Sequence, residues 1–245
     1  MKKYLALTVL FLLLAVGCRR GMSTAVYEDE LIMPAGEGSP DSLLLSISLE
    51  YVRGGVPAPV KEKINQAILS RAFDLEEQDA GLEETAIRYR ENLIDEFLTE
   101  NTGAQGYTST WEDRTSGTFG ESWKKWKNYL FTYYQFRGGA HGLQTVCPLV
   151  FDLTTGEVVE ETDLFAPGYI EPVSKLMQEA VTRSMGADYE ELLPLVNLPS
   201  IIPNDNFAVR REGVEWFFQP YDVGPYALGI VSATVSWEAL QPYLK

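Results

Sequence analysis

Two hydrophobic periods alternate along this sequence, and their order limits the folds open to it. Between Tyr107 and Leu153 lie four short runs rich in aromatic residues and threonine: Tyr107–Trp111, Thr118–Trp123, Tyr129–Phe136 and Leu143–Leu153, the last ending at Thr154-Thr155-Gly156. Runs of this kind, separated by turn residues, predict strands joined by hairpins. Before and after them, apolar residues recur at helical spacing. Helices and strands that are partly segregated, with hairpins dominating, predict an α+β fold. The expected form is an antiparallel sheet with a few packed helices, in two sequential subdomains packed together.

The folded part is expected to start near Leu43, where Ile47, Leu49 and Tyr51 alternate with Ser46, Ser48 and Glu50 as in a half-buried strand. Pro57 and Pro59 open a helix whose inner face carries Val60, Ile64, Ile68 and Ala72. A second helix begins near Gly81, with Leu82, Ala86, Leu93 and Phe97 inward and Gly103 as terminator. Further on, Pro172–Met185 reads as a helix with Val173, Leu176, Met177, Ala180 and Val181 inside. Phe207–Val209 and Val214–Gln219 form a hairpin across Arg211-Glu212-Gly213. Ile230–Ser236 is the final strand and Trp237–Leu244 a short closing helix.

The N-terminus has the organisation of a targeting segment. Lys2 and Lys3 precede an apolar run from Tyr4 to Val16, which is short for a bilayer span of roughly 20 residues. The run ends in Leu14-Ala15-Val16-Gly17-Cys18, a pattern that resembles a bacterial lipobox, with Ala15 where leucine is commonest. Residues 1–17 are thus expected to be a lipoprotein signal peptide, with Cys18 as the lipidation site. Residues 18–42, with Pro34, Gly36, Gly38, Ser39, Pro40 and the charge run Glu28-Asp29-Glu30, read as a flexible tether. Residues 43–115 and 116–245 are the two expected subdomains. With Cys18 lipidated, Cys147 has no intramolecular partner, and its neighbours Val146, Leu149 and Val150 predict a buried, inert thiol.

The formal charge is −15, from 20 Lys and Arg against 35 Asp and Glu. Loss of residues 1–17 removes Lys2 and Lys3, which leaves 18 against 35, or −17. Nucleic-acid binding needs basic clusters, so this balance argues against it. It favours encounter with cationic partners, although solubility alone is the commoner reason for an acidic surface.

Four segments occur in a characteristic order: Gly138-Gly139-Ala140-His141-Gly142, then Phe151-Asp152-Leu153-Thr154-Thr155-Gly156-Glu157, then Asp163-Leu164-Phe165, then Phe217 to Gly229. Together they resemble the extracellular domain of the RsiV-type anti-sigma factors, which is also the non-catalytic N-terminal part of PdaC-type peptidoglycan deacetylases and a domain of unknown function. The resemblance is specific over roughly residues 125–245. Residues 43–110 resemble, by pattern, the smaller companion domain that usually precedes it. It implies an α+β fold with the two sections packed together, an envelope location and, in one branch, lysozyme binding. The sigma-binding segment of the first relatives and the catalytic module of the second have no counterpart in the pattern, so neither activity is carried over.

Little in the sequence points to catalysis or metal binding. His141 is the only histidine, and with Cys147 it falls short of a zinc site, so no metal or other cofactor is expected. Its structural reading is a ring held against the sheet by the Gly138-Gly139 turn; its functional reading is a ligand contact. Tyr221 and Tyr226 flank Asp222 and Gly224-Pro225 in a fixed, irregular turn. They read either as a core-forming corner or as an aromatic ledge for a sugar ring or a partner side chain. Tyr133-Tyr134, Trp123 and Trp126 could extend it. The acidic pairs Glu76-Glu77, Glu83-Glu84, Glu160-Glu161 and Glu190-Glu191 diverge in direction, whereas glycosidases need two converging carboxylates.

The expectation is a lipid-anchored, acidic, non-enzymatic binding module of the cell envelope, facing the periplasm or the exterior. Its candidate ligand-binding residues are His141, Gly139, Tyr221, Asp222 and Tyr226, and its partners a peptidoglycan fragment or a lysozyme-like cationic protein. Two other readings stay open: an enzyme acting on envelope glycans through His141 and a carboxylate such as Asp222, and a structural or assembly lipoprotein.

Overall fold

A computed structural model describes residues 21–74, 81–101, 109–188 and 190–245. The signal peptide, Cys18 and the helix terminator at Gly103 lie outside the described residues. The fold is α+β, as the sequence predicts. Strands β1 (Ser23–Pro34), β2 (Ser42–Gly54), β3 (Trp111–Trp123), β4 (Trp126–Phe136) and β5 (Leu143–Asp152) form one sheet in that order. Strands β6 (Phe207–Val209), β7 (Gly213–Phe218) and β8 (Val231–Ser236) form a second. The helices are α1 (Ala58–Phe73), α2 (Leu82–Asn101), α3 (Glu161–Leu164), α4 (Ile170–Asp188) and α5 (Trp237–Leu240). The chain divides into two compact units: residues up to Thr118 with Thr132–Leu143, and Phe119–Phe131 with Gln144–Lys245.

In the first unit, β2 supplies Leu43, Leu45, Ile47 and Leu49 to the core, each at most 3% exposed. The alternation read from the sequence therefore continues back to Leu43. The expected faces of α1 (Val60, Ile64, Ile68, Ala72) and α2 (Ala86, Leu93, Phe97) are buried, while Leu82 is half-buried. Strands β2 and β3 are parallel, with Leu43 opposite Trp111 and Leu49 opposite Gly117. A parallel neighbour needs a crossover, and α1 with α2 provides it.

Two expectations are corrected here. Residues 23–34, assigned to the tether, form β1, antiparallel to β2 with Tyr27 opposite Leu49 and Leu31 opposite Leu45. Their period of two was hidden in the charge run. Tyr27 is buried and Asp29 is bonded to Arg90 at 2.9 and 3.0 Å, while Glu28 and Glu30 point to solvent. Of the residues that suggested a tether, Pro34 ends β1, and Gly36, Gly38, Ser39 and Pro40 make the β1–β2 hairpin loop, closed by Ala35 N–H donating to Asp41 O at 2.9 Å. The separate runs Tyr107–Trp111 and Thr118–Trp123 are likewise one strand from Trp111 onward, in which Trp111, Asp113, Thr115 and Gly117 are buried in alternation. Residues 107 and 108 lie outside the described residues.

In the second unit, α4 buries Val173, Met177, Ala180, Val181 and Met185 in a core shared with β6, β7 and β8. The predicted hairpin is present: Val209 faces Val214, and Arg210 N–H donates to Gly213 O at 2.8 Å. The closing helix is shorter than expected. It becomes a 3-10 turn at Gln241–Tyr243, and Phe165 bridges Leu244.

Each unit uses an asparagine as a substitute strand. Asn65 of α1 accepts from Val52 N–H at 2.8 Å and donates to Val52 O at 2.9 Å. Asn128 of β4, 2% exposed, accepts from Val209 N–H at 2.9 Å and donates to Val209 O at 2.6 Å. An amide side chain has the donor and acceptor that a strand residue offers, so it satisfies a buried peptide on both sides. Replacement of Asn128 by Ala leaves two buried backbone groups unpaired, and the expected loss is about 2–3 kcal/mol. Urea unfolding of the variant should show a lower midpoint with an unchanged slope.

Candidate functional site

The first group of candidate residues sits on the turn after β4. Gly138 and Gly139 have φ of 84° and 100°, a region that side chains other than glycine rarely adopt. Gly142 is buried beneath the Tyr134 ring, and a Cβ there would overlap Tyr134 Cζ and Oη. The turn thus favours glycine by conformation at 138 and 139, while a side chain at 142 would have to displace the Tyr134 ring. His141 between them is exposed, with Nδ1 3.2 Å from Gly142 O.

At the start of this turn lies a polar cluster that the sequence reading missed. Asp113 is 1% exposed, and its Oδ2 accepts from Arg137 at 2.7 Å and from Gln135 at 3.1 Å. Its Oδ1 accepts from the Tyr89 hydroxyl at 3.1 Å. Burial, followed by the Asp113 charge, pushes the Tyr89 hydroxyl pKa far up. The Arg137 guanidinium also covers the Trp111 ring at 4.7 Å. Asp113 stands between the expected strands Tyr107–Trp111 and Thr118–Trp123, in the stretch read as turn residues.

The second group sits between β7 and β8. Gln219–Asp222 is a β-turn, with Asp222 N–H donating to Gln219 O at 3.0 Å. The Asp222 carboxylate accepts from Gln219 N–H at 2.7 Å. That bond gives Asp222 a local role in holding the turn. Gln219 anchors the turn to β5, accepting from Val146 N–H at 2.9 Å and donating to Val146 O at 2.7 Å. Tyr221 occupies the third turn position with φ of 78°, where glycine is usual. The residue is 59% exposed, and its ring lies 5.7 Å from that of Tyr226, tilted by 39°. The two tyrosines and Asp222 therefore come together, whereas Gly139 and His141 belong to the other unit. The expected extensions of the ledge have structural contacts of their own. Trp126 stacks on Trp237 at 6.1 Å, and the Tyr133 hydroxyl donates to Arg71 O at 2.8 Å.

Another buried carboxylate, Glu161, is bonded to β7. Glu161 is 2% exposed, and its Oε1 accepts from Trp216 Nε1 at 2.6 Å, Asp205 N–H at 2.9 Å and Asn204 N–H at 3.0 Å. Its Oε2 accepts from the Tyr169 hydroxyl at 2.7 Å. The pair Glu160-Glu161 does diverge, as its adjacency required, since Glu160 is exposed. Phe165 is stacked between Tyr169 and Trp216, at 4.9 and 6.1 Å. Desolvation raises the Glu161 pKa above the ordinary 4.5, against the opposing bonds from Tyr169, Trp216 and Asp205. Asp152 in the Asp152–Gly156 turn is the opposite case. Partial burial pushes it up, but bonds from Lys125 and Thr154 prevail and hold it below the usual range.

Among the described residues, no group of three or more His, Cys, Asp or Glu is placed to hold a metal ion. A shallow surface groove is lined by Lys175, Gln178, Glu179, Thr182 and Arg183 on one face of α4, and contains none of the candidate residues.

Glu161 generates a prediction with two variants. In Glu161→Gln, Oε1 keeps its three donors and the new amide donates to the Tyr169 oxygen, so the change at neutral pH should stay within about 1.5 kcal/mol. Glu161→Ala strands all four donors and should cost roughly 3–5 kcal/mol. A raised folded pKa contributes stability that is full below the unfolded value of 4.5 and lost as the pH rises through the folded value. Thermal melts of the native chain should therefore show a stabilising component on acidification toward pH 4.5 that Glu161→Gln removes.

Residues 162–238 match the model of a family described as "Protein of unknown function (DUF3298)". No curated protein matches the chain. Among solved structures, a DUF3298 family member from Bacteroides fragilis NCTC 9343 is similar with a TM-score of 0.80 at 19% identity, over 91% of this chain and 94% of that one. A DUF3298 family protein from Pseudomonas aeruginosa PAO1 is similar with a TM-score of 0.68 at 16% identity, again over 91% of this chain and 94% of that one. These likenesses show the fold, and the matched segment spans α4, strands β6 to β8 and the Tyr221 turn.

Proposed function

We propose that this chain is a lipid-anchored envelope protein whose second unit is a non-catalytic binding module, with Tyr221 and Tyr226 as the contact surface. The observation that carries the reading is Tyr221. A bulky residue at positive φ costs on the order of 1 kcal/mol or more, and glycine would remove that cost. Here the strained residue is an aromatic that is 59% exposed, with its ring beside a second one. Paired tyrosines offer flat apolar faces with hydroxyl groups at the rim, which suits a sugar ring or a cationic side chain. The acidic balance of the chain favours the second of these.

A peptidoglycan fragment and a lysozyme-like cationic protein are the two ligands this surface suits. The enzymatic reading has weaker support, since the Asp222 carboxylate is held by Gln219 N–H. The leader and the Cys18 lipid follow from the sequence pattern alone.

The test uses the full chain in detergent, titrated with lysozyme and with muropeptides at low and high salt, beside an equally basic control protein. Selective binding that survives salt is expected for one of the two ligands. Tyr221→Gly should weaken it at least about tenfold while leaving stability equal or higher by about 1 kcal/mol. Loss of binding with salt, or a Tyr221→Gly variant that binds as tightly as the native chain, would sink the proposal. Turnover of the muropeptides that His141→Ala abolishes would replace it with the enzymatic reading.

A further inference from the structure

Strand β1 ends the five-stranded sheet, and among the described residues only β2 pairs with its backbone. It is 12 residues long, about twice an ordinary strand. An open edge of that length is a template for another strand, and proteins normally blunt such edges with charge. The pattern on β1 does more than repel. Its odd residues Tyr27, Asp29, Leu31 and Met33 are buried or half-buried, whereas the even residues Val26, Glu28, Glu30 and Ile32 are exposed. Val26 is 51% and Ile32 76% exposed, which places both among the exposed large hydrophobic residues of the chain.

The exposed face therefore reads apolar, acidic, acidic, apolar at every second residue. Toward the sheet, Glu28 and Glu30 face only Ser48 and Ser46, so no cation stands across from either carboxylate on β2. Asp29, on the other face, already has Arg90. A second copy of β1 in antiparallel register about Asp29 would match Val26 to Ile32 but set Glu28 against Glu30, and like charges directly opposite are destabilising. The complement of this face is an extended segment reading apolar, basic, basic, apolar at every second residue. The order is symmetric, so it fits in either strand direction.

We infer that the β1 edge is a docking site for an extended basic segment of a partner protein, added to the sheet as a sixth strand. Backbone hydrogen bonds give the attachment, and Glu28 and Glu30 with Val26 and Ile32 select the sequence. The site lies in the first unit and is independent of the Tyr221 surface.

The experiment measures fluorescence anisotropy of labelled peptides with the full chain in detergent. The parent peptide has about ten residues, with valine, lysine, lysine and valine at alternate positions and threonine between. A shuffled peptide of the same composition separates strand addition from attraction by charge alone. Two further peptides carry N-methyl groups on alternate residues in opposite phase, so that only one of them blocks the edge that meets β1. The parent is expected to bind at least about tenfold more tightly than the shuffled peptide, and Glu28→Gln with Glu30→Gln should remove that margin. One N-methylated peptide should lose binding and the other keep it. Tyr221→Gly should bind the parent peptide as the native chain does, which keeps this outcome separate from that of the Tyr221 surface. Equal binding of parent and shuffled peptides, or equal binding of the two N-methylated ones, overturns the inference.

Discussion

A carboxylate taken out of water has to be met by donors, and this acidic chain encloses Asp113 in one unit and Glu161 in the other. Asp113 is 1% and Glu161 2% exposed. The two are solved differently. Asp113 has a guanidinium, so its charge is balanced and the tyrosine beside it is held protonated. Glu161 has four donors and no cation among them. Four hydrogen bonds offset much of the desolvation but not all of it, and the direction of the Glu161 shift records the remainder. The geometry that results is unusually demanding, because the donors come from three places: the backbone of residues 204 and 205, the indole of β7, and the hydroxyl that precedes α4.

That demand explains why polar residues organise both cores. The aromatic column of Tyr169, Phe165 and Trp216 could stack in several registers by apolar burial alone. Trp216 and Tyr169 each donate to Glu161, and this selects one register. Asn65 and Asn128 act in the same way on strands, since a bidentate amide meets one peptide and not its neighbour. Apolar packing supplies the drive to bury these segments, and the few buried polar groups specify how they align.

The same logic separates what was legible in the sequence from what was not. The helical faces of α1 and α4 and the β6–β7 hairpin were readable because apolar spacing and turn chemistry are local. Strand β1 and the start of β3 were obscured by charges. Asp29 pairs with a residue 61 positions away and Asp113 with one 24 positions away. A carboxylate with a distant partner is indistinguishable, in one sequence, from a carboxylate in water. Glu161 was hidden for the same reason, beside an exposed twin. The aromatic turn was legible as irregular, but only coordinates show that Tyr221 rather than a glycine takes the positive φ.

The Tyr221 turn and the Glu161 cluster meet on β7. Trp216 is held by Glu161, Phe218 is buried two residues later, and Gln219 is fastened to both backbone groups of Val146. The turn is then closed by its own Asp222. A side chain mounted on such a base has little backbone freedom left to lose. Strain of this kind persists only where the surroundings over-determine it. In this fold the over-determination begins at a buried glutamate and ends at an exposed tyrosine, five residues along one strand and its turn.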